Sequence, residues 1–201
     1  MTRICFLAVC AWAFAGCAIT NFTMDTPYSL DPEQAQLSAS FSETKRIVWK
    51  SLKLKPTIRN KPQAVGVKKN GYGMDTAYVF TDPKARRWLT NAAKLELKSV
   101  GLDTSGSNTD DPSISITANQ FFVEPDVGFW GADLTAVTIL DVSVTLPKKN
   151  KIFKRRFVGE DTSFAMAWPD FVFESRLLKS AQRAFHQAAL ETRKLIDKED
   201  M

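Results

Sequence analysis

The feature that most restricts the fold is an alternation late in the chain. Ala136, Leu140, Val142, Val144 and Leu146 fall on one side of the run, with Asp141, Ser143 and Thr145 on the other. A period of two sends successive side chains to opposite faces of a strand, so the run buries one face only. Pro147 to Lys151 supplies turn residues, and residues 152–160 bring the chain back. The pattern predicts a long antiparallel hairpin whose apolar face needs a cover.

Two helical segments are the candidates for that cover. Asp82 as N-cap and Pro83 at the first helical position open one of them. Its buried face is Trp88, Leu89, Ala92, Leu95 and Val100, with Gly101 as the stop. Pro169 and Asp170 open the other, marked by Leu177, Leu178, Ala181, Phe185, Ala188 and Ile196. Elsewhere Ile47, Trp49, Leu52 and Leu54 suggest a strand that changes face near Lys50. Residues 62–80 read as an irregular turn leading into a short strand at Ala77 to Phe80, and residues 103–113 as a loop. Ile114, Ile116 and Ala118 alternate with Ser115, Thr117 and Asn119 as a half-buried strand. Strands grouped between two helices predict a single α+β domain, a mainly antiparallel sheet with two helices packed on one face.

The N-terminus constrains location more than fold. Arg3 is followed by a wholly apolar or small stretch from Ile4 to Gly16. A membrane-spanning helix needs about 20 apolar residues, whereas the apolar part of an export signal needs about 7 to 15. The stretch has the length of an export signal. "FAGC", Phe14 to Cys17, resembles the cleavage site of a bacterial lipoprotein signal peptide. That resemblance implies removal of residues 1–16 and acylation of Cys17 by a diacylglycerol and a further acyl chain. Ala18 after the cysteine implies sorting to the outer membrane, facing the periplasm. The three cysteines are Cys5, Cys10 and Cys17, so the chain left after cleavage would carry no free thiol and no internal disulfide. Losing Arg3 takes the net charge from +5 to +4. Residues 18–45 are polar, with isolated apolar positions, and read as a flexible tether after the lipidated residue 17, ahead of a domain over 46–201.

With the polar spacer, the helix "DPKARRWLTNAAKLELKSVGL", the strand "SISITANQFFVE", the long hairpin and the terminal helix, the chain is similar to the YajG-type bacterial lipoproteins. The likeness implies an α+β periplasmic domain on the outer membrane.

Chemistry is sparse. His186 is the one histidine, and on helical spacing it falls off the buried stripe, as an exposed surface residue does. With no cysteine beside it, a zinc site is not expected, nor any other metal or cofactor. Asp110 with Asp111, and Glu160 with Asp161, are the paired carboxylates. Such pairs hold hard cations or share a proton, but in Ser- and Asn-rich loops they more often make turns. "NGYG" at 70–73 is too short for a phosphate loop.

Two surface features remain. Lys148, Lys149, Lys151, Lys154, Arg155 and Arg156 crowd the hairpin tip and its returning strand. They form either a patch for anionic lipid or an acidic partner, or a solvated guard against edge-to-edge pairing. Phe129 and Trp130 follow Pro125 and Gly128 near a turn. They form an interface if exposed and a cap on the open sheet end if buried. Trp168 and Phe171 are expected to staple the last helix to the sheet. The expectation is an anchored, non-enzymatic binding or assembly module of the cell envelope, with a membrane and an envelope protein as partners and no nucleic acid. The alternatives are an accessory of an envelope lipid-transport machine and a carboxylate-dependent hydrolase.

Overall fold

A computed structural model of the chain describes residues 20–33, 41, 43–166 and 169–200. Its elements are β1 (Phe22–Met24), β2 (Lys45–Arg46), β3 (Val48–Leu54), β4 (Gly66–Lys69), β5 (Asp75–Thr81), α1 (Ala85–Ser99), β6 (Leu102–Asp103), β7 (Ser113–Val127), β8 (Ala132–Leu146), β9 (Lys151–Ala165) and α2 (Asp170–Asp200). Seven strands form one mixed, mostly antiparallel sheet in the order β1-β5-β4-β7-β8-β9, with β3 also paired to β7. Strands β2 and β6 pair separately, in parallel.

The alternation of the sequence is the spine of this sheet. Leu134, Ala136, Leu140, Val142 and Val144 of β8 are buried on one face. Thr135, Asp141, Ser143 and Thr145 are more open on the other. Antiparallel pairing runs unbroken from Ala132↔Ala165 to Leu146↔Lys151, and Asn150, in the left-handed conformation at φ 50°, closes the turn. The face change near Lys50 is a bulge: pairing with β7 shifts register between Trp49 and Ser51.

Helix α2 covers β8 and β9 and touches α1, and the contact with β9 is unusually close. A Cβ on Gly159 would stand 2.0 Å from the Ser180 carbonyl oxygen and 2.7 Å from the Ala184 nitrogen. Glycine is what lets helix and strand touch there. Directly beside it, the hydroxyls of Thr138 and Ser180 share a buried hydrogen bond at 2.9 Å. Arg193 of α2 reaches the end of α1: its Nη1 donates to the carbonyls of Glu43 (2.7 Å), Val100 and Gly101 (both 3.2 Å). Of these, the Val100 carbonyl, at the C-cap of α1, is one that a helix C-terminus leaves free. Gly101, at φ 73°, turns the chain away as expected of a helix stop.

Four expectations need correction. The tether is not one over residues 20–33, because β1 pairs in parallel with β5 and Met24 and Tyr28 are buried. Isolated apolar residues suffice when another part of the chain supplies their slots. Residues 66–81 form a hairpin, β4 and β5, whose inward position is filled by buried Lys68. Helix α1 starts at Ala85, with Lys84 as a cap lacking a side-chain bond; the Asp82 backbone instead donates to the Met24 carbonyl at 2.7 Å. On the same helix Leu95 is exposed and Glu96 is buried.

Candidate functional site

Topology collects one end of the molecule. Strand β4 runs parallel to β7, so the β4–β5 turn and the β7–β8 turn lie at the same end. Strand β9 finishes there, and α2 starts there. The large apolar side chains at this end are exposed: Phe129 90%, Trp130 77% and Tyr72 90%, with Met74, Phe164, Met166 and Phe171. Phe129 and Trp130 pack edge to face with ring centroids 4.8 Å apart, and the Phe164 ring lies against Gly131. Of the two readings of Phe129 and Trp130, the structure thus has the exposed one. Phe171 does not staple α2 to the sheet, since it points outward; Trp168 lies outside the described residues, as do residues 1–19 with Cys17.

The N-terminal segment arrives at the same end. Phe22 pairs with Val79, and the Asn21 side chain accepts a hydrogen bond from the Tyr78 backbone at 2.9 Å. Lys68 Nζ donates to the Thr20 carbonyl at 3.1 Å and to Asp170 at 2.5 Å, tying β4, the N-terminal segment and the start of α2 together.

Further down, the same segment is locked into the core by three polar residues from distant parts of the chain. Tyr28 donates its phenol proton to Glu96 at 2.5 Å, and His186 Nδ1 lies 3.2 Å from the other carboxylate oxygen. Burial pushes the Glu96 carboxyl up from its ordinary value, against the hydrogen bond from Tyr28, which holds it down. Burial, reinforced by Glu96, pushes the Tyr28 phenol up as well. His186 is therefore a core residue, not the exposed one its spacing suggested, and its Nε2 has no partner among the described residues. The residue types suit acid–base chemistry, yet all three side chains are buried.

Of the two carboxylate pairs, Glu160 and Asp161 separate. Asp161 is buried and ion-paired with Arg176 at 2.6 Å and Arg183 at 2.9 Å, both from α2. Glu160 faces the other side of β9, as neighbours in a strand must, and its carbonyl accepts from Arg183. Asp110 lies in an exposed turn where its backbone donates to the Asn108 side chain at 3.2 Å. Among the described residues no three His, Cys, Asp or Glu converge as a metal-holding group.

Much of the basic cluster is neutralised. Lys149 and Lys151 reach Glu199, Arg155 reaches Glu191, and Arg156 holds Asp141 in a two-pronged contact. Hydrogen bonds from Arg156 bring the Asp141 carboxyl down to about 2. All six side chains are exposed and four of them are ion-paired, so a free six-charge patch is not what the structure presents. Near these charges, a groove of about 290 Å³ separates the hairpin from α2. Val142, Val144, Phe153, Phe157 and Leu195 floor it, while Lys154, Arg155, Lys194 and Lys198 rim it together with Glu191, which pairs with both Arg155 and Lys194.

This is an α+β domain with one helix-covered sheet face, one open face and an apolar end. No family model matches the sequence, and no curated protein matches it. Its fold is similar to that of protein XCC0632 from Xanthomonas campestris, of family DUF330: TM-score 0.59 at 10% identity, covering 90% of this chain and 98% of that one. Weaker overlaps are with the rare lipoprotein B of Shewanella oneidensis (TM-score 0.40, 11% identity, 78% and 96% covered) and a minor lipoprotein of Acinetobacter baumannii (0.36, 9%, 78% and 94%).

Proposed function

We propose that this chain is a lipoprotein of the bacterial envelope, anchored by acylated Cys17 at the periplasmic face of the outer membrane, whose domain works by binding and not by catalysis. The observation that carries this reading is the gathering of exposed large apolar side chains at the end of the sheet where the N-terminal segment enters. Soluble monomers seldom expose many large apolar side chains together in one contiguous patch, and such patches mark contact surfaces. The resemblance of the sequence to YajG-type lipoproteins supports this reading, and Ala18 after the cysteine supports its outer-membrane part. In this reading attachment is through the lipid on Cys17; among the described residues no helix is long and apolar enough to cross a membrane. Cells fed labelled palmitate test it. The wild-type protein is expected to carry label and sediment with membranes, and Cys17→Ser to lose both; label retained by Cys17→Ser refutes the anchor.

A second reading, an accessory that handles lipid in envelope transport, is favoured by the groove between the hairpin and α2, whose apolar floor suits an acyl chain and whose rim keeps Lys154 and Lys198 outside the Glu191 ion pairs. Mass spectrometry of lipid co-purified with the protein, compared with that of Phe153→Glu, tests it: equal lipid in both removes the groove from consideration.

A further inference from the structure

We infer that the apolar end is a membrane-seating surface, through which Phe129, Trp130 and Phe164, with Tyr72 and Met74 across β7, enter the interfacial layer of the bilayer. The inference rests on the reading of Cys17 as the anchor, and its geometry follows from β1. Because β1 is parallel to β5 and β5 begins at the apolar end, Asn21 and Thr20 lead from Phe22 back towards that end. Lys68 fixes Thr20 beside the first residue of α2. Only three residue steps separate Cys17 from Thr20, a reach of at most about 10 Å even fully extended. An acyl group on Cys17 therefore brings the bilayer surface to the exposed aromatics, whatever else the protein meets.

The side chains suit that layer. Aromatic residues concentrate at membrane–water interfaces, where ring and polar edge are both accommodated. Glu124, Asp126, Asp133 and Asp75 are exposed around the same end, so attraction to anionic headgroups is not the driving force. The lysine-rich turn between β8 and β9 stands at the opposite end of the sheet. Seating accordingly belongs to apolar burial in a zwitterionic or mixed bilayer and is insensitive to salt.

Acylated protein reconstituted into phosphatidylethanolamine–phosphatidylcholine vesicles provides the test. With the Cys17 sulfur blocked, Phe129→Cys and Lys148→Cys each offer a single thiol for an environment-sensitive fluorophore. At position 129 the emission is expected to shift to the blue and to be quenched by brominated lipid. At 148 it is expected to stay water-like and to be quenched by iodide. Vesicle-bound protein whose label at 129 is as open to iodide as that at 148 overturns the seating, and a label at 129 shielded from both quenchers does so too, indicating a protein cover. Mass analysis of Cys17 separates the two layers of the argument: acylation with a wet residue 129 overturns the seating alone, while a bare Cys17 overturns the anchor and the seating with it.

Discussion

Replacing Gly159 by alanine tests the helix-on-sheet contact that organises the domain. The new Cβ would lie 2.0 Å from the Ser180 carbonyl oxygen, where ordinary contact begins at 3.4 Å, so α2 must retreat by the difference. That retreat breaks the 2.9 Å bond between Thr138 and Ser180. Ser180 keeps its bond to the Leu177 carbonyl, but Thr138, fully buried, is left without a partner. An unsatisfied buried hydroxyl costs about 1–3 kcal/mol, and overpacking about 1–3 kcal/mol more. The smaller unfolded-state entropy of alanine offsets roughly 0.4–1 kcal/mol. A net loss of about 1–5 kcal/mol is expected, which in a domain of this size lowers Tm by about 2–20 °C. Urea unfolding followed by circular dichroism measures it, with Gly71→Ala as control, because nothing lies within 4 Å of a Cβ there. A Gly159→Ala midpoint equal to that of the control would refute the close approach of α2.

Two more perturbations follow from the buried polar contacts. Arg193→Met strips three carbonyls and part of the Asp197 pairing, and is expected to cost about 2–4 kcal/mol; Arg193→Lys recovers only part of it because one ammonium does not replace the fork. Thermal melts of the two variants check this, and equal stability of Met and Lys would refute it. Tyr28→Phe removes a donor from buried Glu96 and is expected to cost about 1–3 kcal/mol near neutral pH. In the folded protein the phenol stays protonated, whereas in the unfolded chain it ionises near its usual value of 10. The folded state thus holds the extra proton above that pH, so wild-type stability falls as pH rises past 10. The gap between wild type and Tyr28→Phe is therefore expected to narrow there, in denaturant titrations carried from neutral pH to beyond the phenol range.

What is legible in the sequence is what a local period encodes. The β8–β9 hairpin, the bulge at Lys50 and the buried stripe of α2 all follow from spacing within one element. What escapes depends on partners far away in the chain. His186 is off the stripe, yet it is buried because Glu96 of α1 and Tyr28 of the N-terminal segment come to meet it. Lys68 and Glu96 look like surface charges and are buried with partners no periodicity reveals. Met24 and Tyr28, two large side chains in a polar run, are the one available hint that residues 20–33 dock. The exposed end is half visible: Pro125 and Gly128 place a turn near Phe129 and Trp130, but burial is decided by packing. The gathering of Tyr72, Phe164 and Phe171 around them needs the sheet order.

Strands β7, β8 and β9 each have 15 residues. At about 3.3 Å per residue they make a sheet roughly 50 Å long. Its two ends are chemically unlike, aromatic at one and lysine-rich at the other. In the proposed anchoring through Cys17, at the aromatic end, the domain would stand as a post. It would carry Lys148 and its neighbours to a set height above the lipid, so a partner for the hairpin that sits in the same membrane must reach across the full length of the sheet to meet it.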